Sequence, residues 1–141
     1  MIRSMRRFVG VSAVVLAAMM LVAAVPVMAA DTLHEGNWTK KRYAIEGGWK
    51  IVEDGGKRWL VLDDGFKTKN APDLKLFLSK KPTADLGDKN APSGAVRVAL
   101  LSKNKGGQKY EIPADLDLSE YRTLVLHCEQ YGKLWGVAAL N

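Results

Sequence analysis

The sequence is short of the groups that most catalytic and metal-binding chemistry uses. It holds one cysteine and two histidines among 141 residues. A single cysteine cannot close a bridge within the chain or form a paired-cysteine metal or redox motif. Nor is there a His-Glu-x-x-His, a haem-attaching Cys-x-x-Cys-His, a phosphate-cradling glycine loop or a nucleophile elbow. Methionine occurs only at positions 1, 5, 19, 20 and 28, so beyond residue 28 no thioether can serve as an axial ligand to haem or blue copper. The soft ligands that remain are His34, His127 and Cys128. No base and nucleophile pair is visible, and the chain is read as lacking independent catalytic turnover.

The N-terminus is organised differently from the rest. Arg3, Arg6 and Arg7 precede an apolar run from Phe8 to Val25, broken by Pro26 ahead of Val27-Met28-Ala29. A charged start, an apolar stretch and a small-residue site describe a secretory signal peptide. Residues 1–29 are assigned to it, with the cut after Ala29, or after Ala30 as second choice. The apolar run is long enough to just span a bilayer, but Pro26 and the small-residue site favour removal over a stable anchor. No cysteine stands at the cut to take a lipid. The pair Arg6-Arg7 is a poor match to a twin-arginine signal, because the spacing from Ser4 is wrong and Gly10 intrudes. An extracytoplasmic location, periplasmic or secreted, is therefore expected.

Removal of 29 residues leaves 112, and loss of the three leader arginines lowers 21 basic residues to 18 against 15 acidic ones, a charge of +3. So small an excess does not suggest nucleic-acid binding. The lysine pairs at 67 and 69, 80 and 81, and 103 and 105, with Lys40, Lys41 and Arg42, read mainly as solvated loops. An anionic envelope polymer or lipid head group is the functional alternative for them.

Beyond the leader the pattern is alternation and short apolar runs, with no long helical period. Trp49 to Val52 and Trp59 to Leu62 flank Asp54-Gly55-Gly56, a tight hairpin turn. Leu74, Leu76 and Leu78 alternate with Lys75, Phe77 and Ser79. Strands are also expected at Asn37–Ile45, Ala95–Leu101, Gln108–Ile112, Thr123–Cys128 and Trp135–Leu140, about eight short strands in all. The class is all-β, a small antiparallel sandwich or barrel, with residues 30–35 as a short tail holding His34 and residues 36–141 as the domain. Pro72, Pro82, Pro92 and Pro113 fall between the strands, where a missing amide donor is harmless. The Lys80–Ser93 stretch reads as a surface excursion. Trp38, Trp49, Trp59 and Trp135 are read first as core and second as stacking platforms. Asp115, Asp117 and Ser119 imitate the start of a calcium loop but lack its glycine and terminal acid. Asn37-Trp38-Thr39 is a glycosylation acceptor sequence.

In a regular strand His127 and Cys128 face opposite ways. Cys128 shares a face with Leu124 and Leu126, as a small apolar core group would. His127 shares the other face with Val125 and Glu129 and is expected to be exposed.

Several blocks run in order along the chain: Gly36-Asn37-Trp38, Gly47 with Ile51 to Gly56, Leu60-x-Leu62-Asp63-Asp64-x-Phe66, Ala71-Pro72-Asp73-Leu74-x-Leu76-x-Leu78, Gly107-Gln108-x-Tyr110-x-Ile112-Pro113, Asp117-Leu118-x-x-Tyr121, and Val125-x-x-Cys128-x-x-Tyr131 before Trp135-Gly136. Together they resemble the DM-thirteen domain, a secreted β-rich module also found alongside DOMON domains. The resemblance spans nearly all of the chain past the leader. It implies an electron-transfer or redox role centred on the late cysteine, here Cys128, acting as a bare thiol or as ligand to a group such as haem, with His127 as a second candidate ligand. Three departures stand out. Ala71 replaces a common glycine, Gly65 is an extra residue before Phe66, and His127 sits where tryptophan is usual. The alternative function is a binding or structural module for an envelope polymer or protein partner, with Cys128 only packed. Partial burial with native-state reactivity is expected of Cys128 on the first reading.

Overall fold

The computed structural model describes residues 23–24 and 29–140; nearly all of the expected leader lies outside them. The described residues form eleven strands: β1 (Asp31–Asn37), β2 (Thr39–Lys40), β3 (Ile45–Glu46), β4 (Gly48–Asp54), β5 (Lys57–Leu62), β6 (Lys67–Thr68), β7 (Leu74–Ser79), β8 (Val96–Leu100), β9 (Gln108–Ile112), β10 (Thr123–Cys128) and β11 (Lys133–Ala139). Two single 3₁₀ turns, Thr83–Asp85 and Leu118–Glu120, are the helical content of the described residues. The all-β class holds. One sheet has the order β1-β4-β5-β9, a second β2-β11-β10-β7-β8, and β3-β6 is a two-stranded ribbon; these strands all pair antiparallel and neither large sheet closes on itself.

The β4–β5 hairpin is the most local of these pairings. Trp49 and Ile51 face inward, opposite Leu62 and Leu60, and the turn places Gly55 at φ 59° and Gly56 at φ 79°. Both values lie in the region that side chains avoid and glycine does not. A second glycine is fixed by contact. Gly47 has φ 90°, and a Cβ there would stand 2.5 Å from the Phe66 amide nitrogen, so the β3–β4 corner closes only over a bare backbone.

One apolar cluster fills the space between the two large sheets. Trp49, Ile51, Leu60, Leu62 and Ile112 enter from one side, and Leu74, Leu76, Leu78, Leu124, Leu126 and Trp135 from the other. Alternation on facing strands makes this a sandwich. At roughly 25 cal/mol per Å² of apolar surface, this layer is the main source of stability. Trp38, Trp49 and Trp135 are buried in it, as the core reading requires, while Trp59 is half-buried with Lys109 Nζ 4.5 Å and Lys57 Nζ 6.0 Å from its ring.

Four expectations need correction. The 30–35 tail is instead most of β1, which pairs with β4 through a bulge between Thr32 and His34; its partner strand lay too far along the chain to be seen locally. The single strand over Asn37–Ile45 is broken, because the chain there crosses from one sheet to the other: Trp38 is buried at the crossing, and Lys41 N–H and Arg42 N–H both donate to Trp135 O. His127 is buried, not exposed. The Lys80–Ser93 stretch is a cover over the second sheet, with Leu86 and Ala91 buried on Phe77, Val125, Leu134 and Val137. An apolar outer sheet face must be covered, and this segment covers it.

Asp88 fastens the cover. Its carboxylate accepts from Leu134 N–H at 2.8 Å and from Lys133 Nζ at 3.1 Å and Arg42 Nη2 at 3.2 Å. The backbone donor, then the two cations, hold its carboxyl below the usual aspartate value. A depressed folded value means the contribution is complete above the unfolded aspartate pKa near 3.8 and fades as pH falls through the lower folded one. Asp88→Ala is therefore expected to lower unfolding stability by about 1–2 kcal/mol at pH 7, in denaturant titrations, with the difference constant down to about pH 4 and shrinking below it.

Candidate functional site

All six residues of β10 are buried, because it lies between β7 and β11 in its sheet and between two layers across it. Its inner face carries Leu124, Leu126 and Cys128, all in the main cluster, and its outer face carries Val125 and His127 beneath the cover. Cys128 thus keeps the neighbours that alternation assigns to it. It is the last residue of the strand, paired with Leu74 of β7 and Lys133 of β11. Its exposure is 0%, which replaces the expected partial burial with complete enclosure. The reason is the far side of the sandwich, which no local pattern on β10 reveals.

The strand end above Cys128 is held by a small clamp. Glu129 N–H donates to Asp73 O at 3.1 Å, and Gly132 N–H returns to Glu129 O at 3.1 Å, closing the β10–β11 turn. Lys75 then joins the two carboxylates, pairing with Asp73 at 3.3 Å and hydrogen-bonding Glu129. Glu129 first, then Asp73, raises the Lys75 ammonium above the usual lysine value of 10.5 against a smaller opposing effect of burial. A raised folded value leaves the lysine's contribution whole below 10.5 and removes it only as pH climbs past the higher one.

On the other face, His127 Nε2 lies 3.0 Å from Asp88 O. A carbonyl can only accept, so Nε2 carries the hydrogen. Nδ1 is buried with no partner among the described residues, and Phe77 meets the ring edge-on at 6.5 Å. The bulge between Leu126 and His127 in the β10–β11 pairing permits Leu134 to face outward beside His127 while Trp135 faces the core. His127 and Cys128 are thus separated by the sheet and share no ligand geometry.

The residues do not fit haem. Cys128 is enclosed by apolar side chains, His127 Nε2 is engaged on the opposite face, and neither lines any of the cavities found, which measure about 210 to 490 Å³. Among the described residues no three His, Cys, Asp or Glu side chains converge as a metal site. The acids of the calcium-like run go elsewhere: Asp117 caps the second 3₁₀ turn, accepting from Ser119 N–H at 3.0 Å and Ser119 Oγ at 2.6 Å.

Sequence reasoning missed Asp88, whose partners lie 39 to 46 positions away, and the pairing of Lys75 with Glu129, 54 positions away, both beyond any local signal. It also missed an aromatic pair. Tyr43 packs on Trp135 at 4.2 Å between centroids, and Trp135 Nε1 donates to Thr68 Oγ1 at 2.9 Å. Trp135 and Cys128 belong to one cluster, and Tyr43 is its half-buried outer member on that side.

Residues 37–140 match the family described as Electron transfer DM13. The chain belongs to that family. No individual curated protein and no solved structure gave a match. The DM13 domain therefore covers every strand from β2 to β11, and its electron-transfer character extends to this chain as a redox module. Within the DM13 domain Cys128 is the single sulfur.

Enclosure makes accessibility of Cys128 a matter of local opening. Alkylation of the folded protein is expected to be slow relative to the unfolded chain, and Lys75→Met, which releases the clamp, should raise the folded-state rate about 2- to 5-fold. Because Lys75 stays charged beyond pH 10, the ratio of variant to wild-type rates should stay flat from pH 7 to 10 in mass-spectrometric labelling.

Proposed function

We propose that the chain is an exported electron-transfer module whose redox group is the Cys128 thiol, working without haem. The observation that carries the reading is the placement of the only cysteine of an electron-transfer domain at the last position of its strand, next to exposed Glu129, where hydrogen bonds to Asp73 and Lys75 hold the strand end in place.

The chemistry is thiol–disulfide exchange with a disulfide-bearing partner. On opening of the clamp the Cys128 thiolate attacks one sulfur of the partner's disulfide. A new bond from Cys128 Sγ to that sulfur forms as the partner's own bond breaks, and the departing sulfur takes up the proton that Cys128 lost. One sulfur of the partner is thereby reduced to a thiol, while Cys128 and the partner's other sulfur share the mixed disulfide. With no second cysteine in the chain to resolve that bond, an external thiol attacks the partner's sulfur in it, Cys128 leaves as a thiolate in its reduced form, and the new disulfide joins the external thiol to the partner.

Export rests on the leader. β1 begins at Asp31, so cleavage after Ala29 leaves every strand whole. The alternative, a binding module for an envelope polymer or protein with Cys128 merely packed, draws support from that residue's complete burial and from half-exposed Trp59 with its two lysines.

Two experiments decide these points. Intact mass of the protein recovered outside the cytoplasm should correspond to a chain starting at Ala30 or Asp31; recovery of all 141 residues in a membrane fraction would count against the leader. Incubation of folded protein with glutathione disulfide should give one mixed disulfide, reversed by added thiol and absent in Cys128→Ser. A Cys128→Ser protein with full function in its native cell would transfer support to the binding reading.

A further inference from the structure

Two lysine pairs that lie far apart in the sequence are brought together. β6 pairs on one side with β3 and on the other makes a bridge to the 101–107 loop, with Lys67 directly opposite Lys105. Thr68 N–H donates to Asn104 O at 2.9 Å, Asn104 Nδ2 to Thr68 O at 3.1 Å, and Gly106 N–H to Phe66 O at 2.8 Å, so the contact is a short ribbon. Phe66 and Thr68 face inward and are buried, which turns Lys67 and Lys105 to the same outer face. Lys69 and Lys103, each two residues from a member of that pair, are likewise exposed. None of the four joins an ion pair among the described residues; Lys69 lies over the Tyr43 ring at 4.6 Å. Glu46 stands opposite Lys67 on the other edge as the one acid in the row.

Like charges set directly across a ladder destabilise it, and of the four lysines only Lys67 has an acid directly across from it among the described residues, Glu46 on β3. The patch also has a location. The 69–73 segment leads into Leu74, the cross-strand neighbour of Cys128, and a cavity of about 300 Å³ lined by Ala71, Leu74, Lys103 and Asn104 opens between the patch and that strand end. Tyr43, under Lys69, packs on Trp135 of the cluster that holds Cys128.

We infer that the face formed by Lys67, Lys69, Lys103 and Lys105 is the docking site for an acidic surface of a protein electron-transfer partner, seated at the Cys128 end of the sandwich. The inference rests on the thiol reading for the partner's purpose, and on charge for its chemistry. Unpaired ammonium groups steer and orient an acidic protein, and small charged contacts suit short-lived redox encounters. A polyanionic polymer needs a continuing track. This patch is an island, with Glu46 at one edge and Asp64 beside Gly107 at another.

The test is a titration of ¹⁵N-labelled folded protein with a hexaglutamate peptide, read by amide shifts at low and at 0.5 M salt. Shifts should centre on residues 66–69 and 103–106 and vanish at high salt. Lys67→Gln with Lys105→Gln should weaken the peptide by at least about threefold, while Cys128→Ser leaves the shifts in place. Lys105→Gln alone should keep or raise Tm, by about 1–4 °C, since it relieves the opposed charges and leaves Lys67 opposite Glu46. Shifts scattered over other lysines, an undiminished double variant, or a Tm that falls by several degrees would overturn the assignment. So would a heparin fragment of equal charge that binds the same residues while the peptide does not. Glutathionylation of Cys128 is measured separately on the double variant and should be unchanged, so loss of the thiol reading and loss of the docking reading give different results.

Discussion

The architecture follows from the need to bury β10 on both faces. A strand with six buried residues and a neighbour on either side leaves no route to solvent except its ends. One sheet satisfies the inner face with large side chains. The outer face has no second sheet, and the Lys80–Ser93 segment supplies the missing layer with only Leu86 and Ala91 as apolar contacts. So thin a layer needs polar fastening, and Asp88 provides it with its carboxylate on Leu134 N–H, Lys133 and Arg42 and its carbonyl on His127. His127 is thus tied to the cover rather than to the cysteine.

The contrast between the two faces of β10 bears on function. His127 and Cys128 are adjacent in sequence, yet one belongs to a polar anchor and the other to an apolar cluster. Any influence of the imidazole on the thiol would have to pass through the strand itself. The polar groups at the strand end, Lys75, Asp73 and Glu129, fasten the β7 and β10 ends to each other, with Lys75 on the same face as His127.

What could be read from the sequence was whatever depends on neighbours a few residues apart. The β4–β5 hairpin, β9 and β10 fall where alternation and the Asp54-Gly55-Gly56 turn put them, and Cys128 lies on the face shared with Leu124 and Leu126. Features set by distant partners were hidden. β1 looks like a polar tail because its single ladder is with β4 and most of its side chains stay in water. The cover looks like a loop because two buried residues in fourteen make no period. The full enclosure of Cys128 depends on side chains from the opposite sheet, and the basic face depends on a bridge between positions 67 and 105.

The order of strands in the five-stranded sheet has a consequence for how the chain folds. β11, the last strand made, sits between β2, among the first, and β10. During synthesis from the N-terminus, β4 and β5 can pair as soon as both exist, whereas β2 waits for a partner nearly a hundred residues later. Such non-local closure is slow. Until β11 inserts, β10 has an open edge and the Cys128 thiol lacks one of its walls. The redox environment that the unfinished chain meets can therefore mark that sulfur before the finished fold encloses it.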